Sequence, residues 1–556
     1  MPVVIRVYTS PTLVLLAYDW PEGDRRADFL GFAIQRRPGF NGEQVSWLPN
    51  RIGFDGPKPD QSDFQSNQAP IQKFYWWDAR IDTNDRGQTF SYTVIPVTGK
   101  KTALVLDNAE AKEVTVMIPQ VTEHGITTHF NRAVVSSQAF SQRFPELKTD
   151  ADQKAARAWL ANGLEQAVPQ FLGAAAGKDI EGAIYHLTDD SWILPALQHY
   201  GGSVSLVYHD TGNDHVSQPA IQKLIDSGRP QSNFTPRTHA NIMHDKFLVR
   251  VGSADHAEAV LLGSANFTPE GLSVQANVLH AFESPSLAAC YLQRKRLLNG
   301  NPALADTQKS QTGWSQPLTV GDARVRAFFP PERKDDRISL DTIITAIQKA
   351  QHSVLLCAYD PTDEALLNAA FAAGDKGRMM LALVNRVPKT APTGDPSRSD
   401  VAASIAIYNR STEVGDVQGF ASFRAGDSPT GFAPERILWP KENPKIMVRI
   451  HHKFVVIDAE GDNPIVYTGS ANFSNNALHK NDENLIEITQ CPRIAAMYLA
   501  EFLRLYEHYR ARIAYERHQS GATKPFKLTD DNSWSTKFFV AGSPEMKARQ
   551  SMAGTA

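Results

Sequence analysis

The 556-residue chain predicts an α/β protein in which one layer unit is used twice behind a small all-β sandwich. Three observations lead there. Strand-like alternation fills roughly the first 120 residues with no helical period between. Helix and buried-strand patterns then alternate and restart. A short polar signature also occurs twice, about two hundred residues apart, as a duplicated structural unit requires.

In the first region, Leu13 to Trp20, Phe29 to Arg36, Phe74 to Arg80, Thr89 to Val97 and Val114 to Ile118 are rich in β-branched and aromatic residues. Turn formers such as Pro21-Glu22-Gly23-Asp24 and Asp85-Arg86-Gly87 separate several of them. Residues 1–120 look like a fibronectin type III or related immunoglobulin-like sandwich, with Tyr92 placed to make a tyrosine corner. A spacer or stabilising appendage is its expected role. Trp76, Trp77 and Trp534 read as core aromatics.

Residues 121–318 and 319–520 form the two halves, and 521–556 a C-terminal tail packing on the core. In the second half, Leu340, Ile343, Ile344 and Ile347 keep the spacing of an amphipathic helix. The apolar strand Ser353 to Tyr359 follows, then Thr362-Asp363. The first half repeats this order with a helix near Gln153 to Leu172, a strand at Gly182 to His186, and Thr188-Asp189. Asp189 and Asp363 read as helix N-terminal capping residues. From the Thr-Asp pair to the key histidine is 56 residues in one half and 89 in the other. The excess is placed at about 388–445, a Pro/Gly/Ser-rich stretch including Pro429-Thr430-Gly431, as a lid or a solvated insertion.

The repeated signature carries the chemistry. His244-Asp245-Lys246-Phe247 precedes Gly263-Ser264-Ala265-Asn266-Phe267, and His451-His452-Lys453-Phe454 precedes Gly469-Ser470-Ala471-Asn472-Phe473. The His-to-Gly spacing is 19 and 18 residues. Residues two apart leave one face of a strand, so strands at Ile242 to Val251 and Val448 to Asp458 are expected to present His and Lys together. Lys246 and Lys453 supply cations for non-bridging phosphate oxygens. His244 and His451 divide the roles of nucleophile and proton donor. Gly263 and Gly469 permit close backbone approach, while Ser264, Asn266, Ser470 and Asn472 are expected to bind phosphate. No metal and no cofactor is called for. His452 points to the opposite face and reads as structural, and His256, His280 and His479 lack ligand spacing.

These residues resemble the phospholipase D superfamily, whose signature is a twice-repeated His-x-Lys-x4-Asp followed by Gly-Ser-x-Asn. The resemblance covers roughly residues 125 to 520 and implies a duplicated α-β-α sandwich. His451 through Asp458 matches the signature in full, with Asp458 in a structural role. By the same resemblance, Glu483 in Lys480-Asn481-Asp482-Glu483-Asn484 orients His451. The first half departs: Val251 stands at the aspartate position and Ala276 at the apparent glutamate position, which leaves Gln275 or Glu283 as the guessed acceptor for His244. The resemblance implies a covalent phosphohistidine, without deciding which histidine bears it.

Composition narrows the class. With 42% apolar and 21% charged residues the chain has the make-up of a globular protein of two or three domains. No run is long and apolar enough to span a bilayer, and the start lacks a signal-peptide pattern. Three unpaired cysteines argue against a disulfide framework. A cytosolic protein, or one exported without a signal, is expected. The leading expectation is a metal-independent phosphodiesterase acting on phospholipid headgroups by hydrolysis or phosphatidyl transfer, with peripheral membrane contact open and the site formed within one chain. A net charge of -3 shows no general basic excess. The alternatives are a nuclease, for which Lys246, Arg250, Arg449 and Lys453 would have to form a basic groove, and a degenerate phosphate-binding scaffold.

Overall fold

The computed structural model describes residues 2–56, 63–134, 140, 143–419, 449–519 and 527–556. The opening region forms two larger antiparallel sheets, one of three strands and one of five, and a two-stranded ribbon of Pro49–Asn50 with Phe64–Gln65. Its central strand, Leu13–Asp19, is buried along its whole length. Alternation explains how: Val14, Leu16 and Tyr18 face the sandwich interior with Phe29, Phe32 and Phe74, while Leu13, Leu15 and Ala17 face the core shared with the α/β halves. The β region is thus fastened to the long helix Pro492–Gln519 rather than held at a distance. Tyr92 is buried as expected, but its hydroxyl donates to the Asp78 carboxylate at 2.9 Å, which also pairs with Arg36. A side-chain acceptor replaces the backbone acceptor of a tyrosine corner.

The two halves repeat one topology. Each contains an eight-stranded mixed sheet with the same strand order and the same sense of every pairing. At the centre of the first, Lys246–Val251 lies between Ala257–Gly263 and Asp179–Ile184. In the second, Lys453–Ile457 lies between Ile465–Gly469 and Ser353–Ala358. All six positions of Ser353–Ala358 are buried, as its apolar run implied. The helix expected near Gln153 to Leu172 is two, Asp150–Ala161 and Ala167–Gly173, because Asn162 and Gly163 take left-handed backbone conformations between them.

Part of the expected insertion belongs to the repeated frame. Helix Ser399–Asn409 and strand Val417–Gly419 occupy the places that Gln218–Asp226 and Phe234–Arg237 hold in the first half. The remainder, with Pro429-Thr430-Gly431, lies outside the described residues. At the C-terminus, Trp534 stacks on Phe74 and helix Pro544–Ala553 places Arg549 against Asp19. Among the described residues, no helix is long and apolar enough to cross a membrane.

Candidate active site

The site is made where the halves exchange backbone. The strand expected over Ile242 to Val251 is interrupted at His244-Asp245, giving Ile242–Met243 and Lys246–Val251. The short first piece pairs in parallel with Asn481–Asp482 of the other half. In the symmetric position, Ala276 bridges Ile450. The His244 amide donates to the Asp482 carbonyl at 2.8 Å, and the His451 amide to the Ala276 carbonyl at 3.2 Å. Each catalytic-type histidine is therefore set by hydrogen bonds from the opposite half.

This crossing corrects the expected partners. Glu483 lies behind His244, not His451: the His244 Nδ1 donates to its Oε2 at 2.8 Å. His451 instead donates from Nδ1 to the amide oxygen of Asn277 at 3.0 Å. Gln275 and Glu283 play no such part, and Glu283 is paired with Arg250. The counterpart of Glu483 is Asn277 rather than Ala276. Each stands 13 residues after its motif serine, a count that was available in the sequence. With both Nδ1 atoms engaged, Nε2 of each ring is left for chemistry.

The serines are also reassigned. Ser264 Oγ donates to Asn277 at 2.9 Å and accepts from the Val278 amide. Ser470 Oγ donates to Glu483 at 2.6 Å and accepts from the Asn484 amide. Both hydroxyls are fully buried and occupied, so they hold the histidine partners and do not reach a ligand. The amide oxygens of Asn266 and Asn472 are different: each is buried without a protein partner, which leaves that pair with hydrogen-bonding capacity for a ligand. The two glycines are sterically required. Gly263 and Gly469 have φ of +158° and +147°, and a Cβ would stand 2.2 and 2.3 Å from the carbonyls of Val278 and Asn484.

Both lysines are completely buried, and each Nζ donates to the carbonyl of the histidine two residues before it, at 2.6 and 2.7 Å. Burial pushes Lys246 down to about 7. Lys453 is held well below the usual lysine range by burial and by Lys246. Both imidazoles are pushed down by burial and then by these lysines, which shows that the four groups share one electrostatic space. Burial raises Glu483 to about 7, against the pull of Lys246.

Two tyrosines complete the symmetry. Tyr185 lies edge-on to His244 with its ring 5.0 Å from Lys246 Nζ, and Tyr359 tilts against His451 with its ring 5.4 Å from Lys453 Nζ. The repeated Tyr-x-x-Thr-Asp at 185–189 and 359–363 was the signal for them. Within that repeat, Asp189 and Asp363 cap helices through backbone amides. Asp458 accepts from the amides of Gln351, His352 and Ser353, a structural role, while Val251 is simply buried core. His452 packs against Phe130 and Phe454, and His280 is buried between Thr128 and Tyr498. Away from the cleft, a cavity of about 630 Å³ lies between the β region and helix Pro492–Gln519, lined by Trp76, Trp77 and Trp159 among others.

The duplicated α/β frame with paired His-Lys half-sites is the arrangement that the phospholipase D resemblance implied. Residues 343–506 match the family model described as "Cardiolipin synthase, PLD-like domain", so that segment is similar to a phospholipase D-like domain. No curated protein matches it. Among solved structures, phosphatidylserine synthase of Haemophilus influenzae Rd KW20 is similar over 65% of this chain and 92% of that one, at 12% identity and a TM-score of 0.43. Nuc from Salmonella typhimurium matches 34% of this chain and 95% of its own, at 20% identity and 0.23. Polyphosphate kinase from Porphyromonas gingivalis matches 58% of this chain at 12% identity and 0.36, and the match spans only 42% of that enzyme. These scores are too low to bear on substrate.

Proposed function

We propose that the protein cleaves a phosphodiester through a covalent phosphohistidine on His244. The observation that carries this is the 2.8 Å contact between His244 and Glu483 across the halves. A carboxylate behind Nδ1 stabilises the positive charge that an imidazole gains when its Nε2 bonds to phosphorus. His451, backed by a neutral amide, takes the other role.

In the first step Nε2 of His244 attacks phosphorus and the bond to the leaving oxygen breaks. His451, protonated at Nε2, gives that oxygen its proton. In the second step His451 takes a proton from water or an alcohol, whose oxygen displaces His244 from phosphorus. The lysines face the non-bridging oxygens, while the open amide oxygens of Asn266 and Asn472 accept and so meet a hydroxyl or water rather than an anionic oxygen. An entering diester brings negative charge beside Lys246 and Lys453, which favours their charged forms and offsets the repulsion that keeps His451 neutral.

A phospholipid-type diester remains the leading substrate class. Arg250 contributes no cation to a nucleic-acid groove, because Glu258 and Glu283 neutralise it. The test is a rapid alkaline quench of the enzyme turning over a slow chromogenic diester, followed by peptide mass spectrometry. A phosphoryl group on His244 is expected; one on His451, or on neither, rejects the assignment. Headgroup release from liposomes compared with plasmid nicking, both in chelator, separates lipid from nucleic acid.

A further inference from the structure

Beside His244 lies a cluster that has no equivalent among the described residues of the second half. Asp214 receives the His186 Nε2 at 3.1 Å on both of its oxygens. The Tyr185 hydroxyl donates to it at 3.3 Å, and His209 Nε2 lies 3.4 Å away. The matched register positions in the other half are Asp360 for His186 and Asn385 for His209.

His209 has a structural duty. Its Nδ1 accepts from the Met243 amide at 3.1 Å, just as Asn385 accepts from the amides of Arg449 and Ile450. Both residues hold the backbone that leads into a reactive histidine. His186 has no such duty. Asp214 fixes its proton on Nε2, and no described group bonds its Nδ1. Burial lowers its pKa, so the ring is neutral and Nδ1 is an open acceptor.

Its position is at the reactive centre. The ring stacks on Tyr185 at 3.7 Å, the same tyrosine that abuts His244. Its carbonyl accepts from the amide of Phe267, next to the ligand-facing Asn266. The side chain remains 19% exposed, so a ligand can reach it.

We propose that His186 Nδ1 accepts a hydrogen bond from a hydroxyl on the group that stays attached to phosphorus, making the preferred substrates phosphodiesters whose retained group keeps a free glycerol-type hydroxyl, as a lysophospholipid does and a fully acylated phospholipid does not. This rests on the phosphohistidine reading. In-line attack puts His244 and the leaving oxygen, which His451 protonates, at opposite apices with the retained group equatorial between them, so a residue that flanks His244 through Tyr185 can meet the retained group but not the leaving one. A hydroxyl there satisfies an acceptor that an alkyl or acyl group leaves unpaired.

The test compares glyceryl p-nitrophenyl phosphate with propyl p-nitrophenyl phosphate, which share one leaving group. The wild type is expected to favour the glyceryl diester by about ten-fold in kcat/KM, carried mainly by KM. His186→Lys keeps a donor for Asp214 but has no acceptor, and the preference is expected to collapse towards one. A wild-type ratio near one overturns the proposal. So does a His186→Lys enzyme that keeps the preference or loses both activities equally, since the latter marks a merely structural role. A wild type that cleaves neither diester overturns the underlying phosphodiesterase reading, and the proposal with it.

Discussion

The two halves share strand order, register and motif glycines, yet differ in what stands behind each imidazole. The first half's histidine has a carboxylate, Glu483, in a pocket clamped by ions: Asp482 next to it pairs with Arg237 and Arg294, and Arg294 also holds Asp245. The second half's histidine has an amide, Asn277, and its neighbours at the corresponding places are the apolar Ala276 and the neutral His452. One side of the crossing is ionic and the other is not. A duplicated frame can thus keep its geometry while its two copies set chemically different groups behind the imidazoles, because the backbone exchange sets positions and the side chain behind Nδ1 sets charge.

The comparison breaks most sharply at the histidines. His244→Ala is expected to lower kcat at least about a thousand-fold on any diester, since no covalent intermediate forms. His451→Ala should cost roughly 10²–10⁴-fold in kcat/KM on an alkyl ester but far less in kcat/KM on a p-nitrophenyl ester, whose leaving group needs no proton, while breakdown of the phosphohistidine still slows. Similar losses from both variants on the nitrophenyl ester would erase the division of labour. Next in size, Glu483→Gln should reduce kcat by about 10–100-fold, and Asn277→Ala less, because a lost charge-assisted hydrogen bond costs more than a neutral one.

The pH dependence sharpens the same contrast. Glu483 must be ionised and its value lies at about 7. Lys246 must be protonated and its value is also about 7. The free enzyme should therefore show a narrow bell in kcat/KM near neutrality, its limbs belonging to the coupled network. Glu483→Gln should flatten the acid limb and move the alkaline one to lower pH, because the Glu483 charge supports protonated Lys246; an unchanged acid limb would remove Glu483 from the mechanism.

The last effect concerns folding. Burial lowers His280 to about 3 and His129 to about 4. Both are neutral in the folded chain and take up protons on unfolding below about pH 6.5. Their contribution is fully present above that pH. It declines by roughly 1.4 kcal/mol per histidine for each unit of acidification, until the folded values are reached. Thermal unfolding followed from pH 7 to pH 4 should show Tm falling, and a His280→Gln chain should show a shallower slope.

Much of this was legible one residue at a time. The paired His-x-Lys and Gly-Ser-Ala-Asn motifs marked the residues that the fold brings together at the candidate site, and the alternation through Leu13 to Asp19 marked a strand. Seven covered positions in that strand did not reveal that its two faces serve different cores. The capping roles of Asp189 and Asp363 also followed from position alone. Ser264 and Ser470 were misread because a serine beside a phosphate site and one supporting a histidine partner look alike in sequence. Arg237 and Arg294 carried no local signal, since they act on residues up to 245 positions away.

The linear order of residues determined the repeat, the chemical groups and the strand that carries each lysine, because these depend on local period and residue type. Which carboxyl or amide stands behind which ring was decided only in three dimensions. Residues 242–243 and 481–482 pair across the halves, and no local propensity records a contact that exists only when two distant units dock. The acceptor left open on His186 has the same origin: Asp214, on a separate loop, fixes the proton on one nitrogen and leaves the other free.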